Sequence, residues 1–144
     1  MSQIVEAGLL DVDLPAEPRS ASRARRAVLE ALKGVAVDRD AVAMVVTEAV
    51  TNAVVHAYRG GPGTVHLDAR VDGAGVHITV TDHGVGLRPR PDSPGAGLGL
   101  PLITDLADRV EFVPAQPGTT VQAHFALRGP RGPRGGRTGW LVAA

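Results

Sequence analysis

The chain is expected to fold as a two-layer α/β sandwich, with a mixed, mostly antiparallel sheet covered by helices on one face. Three observations predict it. Two early segments carry apolar residues at helical spacing, and several later ones alternate strictly between apolar and polar. Aromatic residues make up only 3% of a chain that is 44% hydrophobic, so Val, Leu, Ile and Ala must build the core. A strand followed by helix, helix, hairpin, helix and hairpin then suits one layer of helices lying on one sheet. At 144 residues the chain is sized for a single domain, expected over 1–127.

Each element has its own signal. Leu10, Val12 and Leu14 alternate with Asp11 and Asp13, a half-buried first strand over Gly8–Leu14 that Pro15 and Pro18 end. Ser20 or Ser22 is placed to cap a helix running through Ala24, Val28 and Leu32 to Gly34. A second helix starts at Asp38 or Asp40 and runs to about Tyr58, stopped by Gly60-Gly61. Val42, Val46, Ala49, Val50, Ala53 and Ala57 fall on its broad apolar face, while Glu48, Asn52 and His56 form a separate stripe at i, i+4 and i+8. Thr64–Val71 and Val76–Asp82 alternate around Asp72-Gly73-Ala74-Gly75, a hairpin. After a Gly/Pro-rich segment, a short helix is expected over Leu100–Ala107, then strands over Arg109–Val113 and Thr119–Leu127. Residues 128–144, rich in Arg, Gly and Pro, are expected to be a flexible appendage.

Composition excludes several function classes. The formal net charge is zero, but four arginines lie in 128–144, leaving eleven basic against fifteen acidic residues before them, a balance of −4. A mildly acidic body is poorly suited to neutralising nucleic-acid phosphates. The absence of cysteine excludes disulfides and thiolate metal sites. The first residues lack the basic-then-apolar pattern of a secretory signal, and no apolar run approaches a membrane span, so a cytoplasmic location is expected.

Three short segments could carry chemistry. In EAVTNAVVHAY, Glu48 and Asn52 lie one helical turn apart and offer two oxygens to one point. That pair suits a hard cation such as Mg²⁺, a base that orients a nucleophile, or simply a solvated helix face. Asp82-His83-Gly84-Val85-Gly86 follows an apolar strand directly. A carboxylate at a partly buried strand end must find donors, of which an exocyclic base amine is one, and the glycines let backbone approach a flat ligand. A strand running into a glycine turn is the plainer reading. Gly95-Ala96-Gly97-Leu98-Gly99-Leu100 precedes a helix, where free amides and the helix dipole can cradle an anion. It is no Walker A motif, since no GxxxxGK[ST] is present, and it follows a loop rather than a strand.

Taken in order, E-x-x-x-N on a helix, D-x-G-x-G after a strand, G-x-G-x-G before a helix and Gly118-Thr119-Thr120 before a strand resemble the N, G1, G2 and G3 boxes of the Bergerat-fold ATPases. The resemblance covers roughly Val42 to Leu127. It implies that ATP and Mg²⁺ bind, with Asn52 on the metal and Glu48 as base or water-positioner. It implies that Asp82 accepts from the adenine amine with a water and Thr120 nearby, that Gly84 and Gly86 shape the adenine pocket, and that Gly95, Gly97, Leu98, Gly99 and Leu100 hold the phosphates. His83–Pro94 would form part of a lid. Within that superfamily, His56-Ala57-Tyr58 after the Asn, the short lid and the segment LPAEPRSASRARRAVLEAL resemble the bacterial anti-sigma factor serine/threonine kinases.

That narrower resemblance implies phosphorylation of an anti-sigma factor antagonist on Ser or Thr, alternating with sequestration of a sigma factor, in a homodimer that contacts neither membrane nor nucleic acid. Arg23, Arg25 and Arg26 would face partners or stand as a solvated face. The edge of the first strand and the first helix would form the dimer contact. The second expectation, in view of a lid with three prolines and no Lys, is a catalytically inactive ATP-binding regulatory module acting by protein–protein binding.

Overall fold

Alternation of side chains across extended backbone decides which face of each strand meets the helices. The computed structural model describes residues 7–59, 61–84, 100–114, 117–128 and 141–142. In chain order these form β1 (Ala7–Pro15), α1 (Arg19–Ala31), α2 (Arg39–Asn52), a π-helical turn (Ala53–Ala57), β2 (Thr64–Asp72), β3 (Gly75–Asp82), α3 (Leu100–Leu106), β4 (Arg109–Pro114), β5 (Thr119–Phe125) and β6 (Leu141–Val142). The sheet order is β1-β2-β3-β5-β4-β6, antiparallel at every pairing except the parallel β4–β6 contact. The mixed, mostly antiparallel sheet expected from the sequence is the one observed.

Val65, Leu67 and Ala69 of β2, Val76, Ile78 and Val80 of β3, and Val121, Ala123 and Phe125 of β5 are buried on one face. α1 packs on α2 and β1, and α2 packs on α3, β3 and β5. Sandwiched between the sheet and its neighbouring helices, α2 buries Ala41, Val42, Ala43, Val45, Val46, Ala49 and Val50, more than a single stripe. Its alanines let the layers approach closely. The opposite sheet face is polar. There the His66 ring turns one nitrogen to Asp13 (2.7 Å) and the other to Asp11 (3.0 Å), tying β1 to β2. The hydrogen bond to Asp13 raises the His66 pKa, against a lowering by burial, and the charges of Asp11, Asp13 and Asp68 raise it further.

Several expectations are corrected here. Neither Ser20 nor Ser22 caps α1. Pro18, already at φ −54°, starts the helix without a side-chain cap, because its ring holds the helical angle. Ser20 falls inside the first turn, where its hydroxyl donates to the Pro15 carbonyl at 2.6 Å. For α2 the cap is Asp38, which accepts from the Ala41 amide at 3.1 Å. The α2 hydrogen bonding does not continue to Tyr58 as regular α-helix. It widens after Asn52, the Tyr58 amide bonding the Ala53 carbonyl at 3.0 Å, and Arg59 at φ +50° ends the turn. β5 stops at Phe125 rather than Leu127, and the next amide, Ala126, is taken by Asp108 at 2.8 Å.

The expected appendage is described at its two ends. The Arg128 amide donates to the Ala36 carbonyl (2.7 Å) and its guanidinium pairs with Asp38 (3.2 Å), so this residue is docked on the α1–α2 loop. Leu141 and Val142 add a short strand beside Glu111 and Phe112. Among the described residues, no helix is long and apolar enough to cross a membrane.

Candidate functional site

Period-two alternation carries Asp82 to the helix-facing side of β3, behind Val76, Ile78 and Val80, where it is 6% exposed. A carboxylate so placed must be satisfied by donors. The Gly84 amide donates to Asp82 Oδ1 at 2.9 Å, and the Thr119 backbone supplies a further hydrogen bond. Burial raises the Asp82 pKa, and these hydrogen bonds and the neighbouring His83 only partly offset it. The site therefore holds a buried carboxylate bonded by backbone, to which a ligand amine would add a further donor.

Two glycines bring backbone against this group. A Cβ on Gly84 would fall on the Ala57 carbonyl, so the loop after β3 lies directly against the π-helical turn. Gly118, at φ +110°, packs so closely on the Asp82 carbonyl that a Cβ would overlap it. Both approaches are backbone on backbone, and neither leaves room for a side chain.

Across the layer, α2 carries Glu48 and Asn52 one turn apart. Glu48 is half-buried, and Asn52 is 5% exposed at the last residue of the α-helix, immediately before the π-helical turn. π-helical turns recur at functional sites because they re-aim the residues around them. Exposed Met44 lies one turn before Glu48 on the same side of this helix.

One expected position is corrected. Thr120 does not accompany Asp82. Its hydroxyl meets that of Thr81 at 3.3 Å on the polar face of the sheet. Thr119 is the register partner of Asp82, and it is 4% exposed on the helix side with Val121 and Ala123. The alternation in TTVQAHF already separates the two threonines, so strand parity is the signal that identifies Thr119. A second residue missed by the sequence reading is Tyr58, whose hydroxyl accepts from the His83 amide at 2.8 Å and donates to the Thr64 carbonyl at 2.7 Å. Gly86, Gly95, Gly97, Leu98 and Gly99 lie outside the described residues, as does the lid expected over His83–Pro94 apart from His83 and Gly84; Leu100 begins α3.

The residues present fit both expected ligands in their chemistry. An acceptor-only carboxylate walled by glycine backbone suits the amine edge of a purine. A carboxamide and a carboxylate on one helix suit Mg²⁺ and a transferring hydroxyl.

Comparisons with known proteins bear on the family of the whole domain. The model of the histidine kinase-like ATPase domain matches residues 14–125. The chain is 33% identical over 91 residues to the anti-sigma F factor of Anoxybacillus flavithermus, a match covering 54% of this chain and 62% of that protein. It is similarly 33% identical over 90 residues to the anti-sigma F factor of Bacillus cytotoxicus and 34% identical over 91 to that of Halalkalibacterium halodurans, with the same coverage. The chain thus spans less than two thirds of the length of the curated relatives it matches. With the family match running from the end of β1 to the end of β5, the chain belongs to the histidine kinase-like ATPase domain family.

Proposed function

We propose that this domain binds ATP with Mg²⁺ and acts as an anti-sigma factor-type serine/threonine kinase, phosphorylating an antagonist protein and sequestering a sigma factor in alternation. The observation that carries the nucleotide reading is the buried Asp82 carboxylate walled by the backbone of Gly84 and Gly118. The similarity to anti-sigma F factors supports the choice of partner class.

In this reading Asp82 accepts from the adenine amine, and Thr119, not Thr120, stands beside it. Asn52 would hold Mg²⁺, which neutralises phosphate charge when bound. Glu48 accepts the proton of the acceptor Ser or Thr hydroxyl as that oxygen forms its bond to the γ-phosphorus. The bond from the γ-phosphorus to the bridging oxygen breaks, and ADP leaves with that oxygen. Glu48 stands half-buried on α2, where it can meet both a bound nucleotide and a docking protein. A cytoplasmic homodimer is part of the same proposal.

The test is transfer of label from γ-labelled ATP to candidate antagonists encoded in the same genome. Wild type should label a partner Ser or Thr, and Glu48→Ala should lose at least ~100-fold in rate, the scale of a positioned acid–base group, while still binding ATP and partner. Nucleotide and partner binding with no transfer by wild type would replace the kinase with a regulatory module of the same fold.

A further inference from the structure

The β2–β3 ladder ends in an unusual way. Its last register pair toward the site is Val65↔Asp82, so Thr64 and His83 would form the next one. Instead of a direct rung, the Tyr58 hydroxyl sits between them, donating to the Thr64 carbonyl at 2.7 Å and accepting from the His83 amide at 2.8 Å. One oxygen atom stands in for a strand rung, and Gly84 just beyond it lies against Ala57.

The ring that carries this oxygen is itself fixed. The π-helical bond from the Tyr58 amide to the Ala53 carbonyl puts an additional residue into the turn after Asn52. Without it, α-helical spacing would send the side chain in a different direction. The Gly61 amide closes on the Tyr58 carbonyl at 2.7 Å, and a Cβ on Gly63 would collide with the ring. The His83 amide belongs to the same rigid peptide unit as the Asp82 carbonyl. That carbonyl is closely packed by Gly118, and the Gly84 amide holds the carboxylate.

From this clamp we infer that Tyr58 is a positioning residue: by holding the Asp82–His83 peptide, it aims the Asp82 carboxylate and thereby sets the preference for adenine over guanine nucleotides. The inference rests on the nucleotide reading above. A carboxylate accepts hydrogen bonds and donates none. Adenine presents an amine at the six-position, whereas guanine presents a carbonyl there. Discrimination then depends on the direction of the Asp82 oxygens, and an unsatisfied acceptor facing a second acceptor is strongly disfavoured. Tyr58 touches neither base nor phosphate in this scheme and acts only through the loop.

Calorimetric titration of ATP and GTP into wild type, Tyr58→Phe and Asp82→Asn, with melting curves alongside, separates this role from a merely structural one. Wild type should favour ATP. Tyr58→Phe, which keeps the ring, should lose roughly tenfold in ATP affinity while GTP affinity moves by less than about twofold, narrowing the ratio. On the Asp82→Asn background the same change should leave the ratio where it is. Gly63→Ala, whose Cβ would push the ring, should narrow the ratio in the same direction. Equal weakening of both nucleotides, or a lower melting temperature with an unchanged ratio, would overturn the positioning role. A wild type that binds neither nucleotide would instead overturn the nucleotide reading, and the inference with it.

Discussion

At the scale of residues, Asp82 shows how a site is set against stability. Its carboxylate is 6% exposed and its pKa is raised by burial. A group whose folded pKa lies above its unfolded value stabilises fully below the unfolded pKa and loses that contribution as pH rises through the folded one. At neutral pH the ionised Asp82 therefore opposes folding. Asp82→Asn is expected to melt at or above wild type at pH 7 without nucleotide, with the difference disappearing below about pH 4, where the unfolded-state carboxyl also protonates. The same variant should bind ATP about 10- to 100-fold more weakly, the range for losing a hydrogen bond to a charged group. Thermal scans across pH and a binding titration check the two halves separately. Asp82 was legible from the sequence, since it closes a strand of alternating residues before a glycine. Thr119 was legible too, on the parity of TTVQAHF, although the resemblance pointed to Thr120. Tyr58 was not, because its role depends on the hydroxyl meeting two backbone groups that only the fold brings together.

At the scale of elements, the signals that failed were those with no periodic signature. α1, α2, the β2–β3 hairpin, α3, β4 and β5 follow from spacing and alternation, with bounds shifted by a few residues. The π-helical turn within AVVHA has the composition of ordinary helix, so no pattern marks the widening. The start of α1 moved because Pro18 already holds a helical φ, overriding the capping preference of Ser20 and Ser22. β6 is two residues long, and its pairing with β4 could not be read from a pattern so short. The turn before β5 offers a sharp test. Gly118→Ala forces a side chain into φ +110° and onto the Asp82 carbonyl. A loss of about 1–3 kcal/mol in unfolding free energy is expected, as for a non-glycine residue held in a sparsely populated region. Chemical denaturation measures it, and a variant as stable as wild type would show that the turn can relax away from Asp82.

At the scale of the whole molecule, one sheet serves two purposes. Its inner face, Val65 through Phe125, meets the helices and makes the core, while its site-facing end carries Asp82 and Thr119 beside the close of α2. The two-layer architecture was legible because helix-period and strand-period segments fall in a clear order. The family was legible in the order of Glu48, Asn52, Asp82 and the following glycines, and the family match over residues 14–125 agrees with it. The partners proposed for this domain depend on surface complementarity, which one chain does not contain. The central claim, that this fold presents an adenine-nucleotide site, is tested most directly by titrating Mg²⁺ and ATP into the purified protein and following heat and melting temperature together. Saturable binding is predicted, with unfolding free energy rising by about 2.7 kcal/mol when ATP reaches 100 times its dissociation constant. Neither heat nor a melting shift at millimolar ATP would contradict the account.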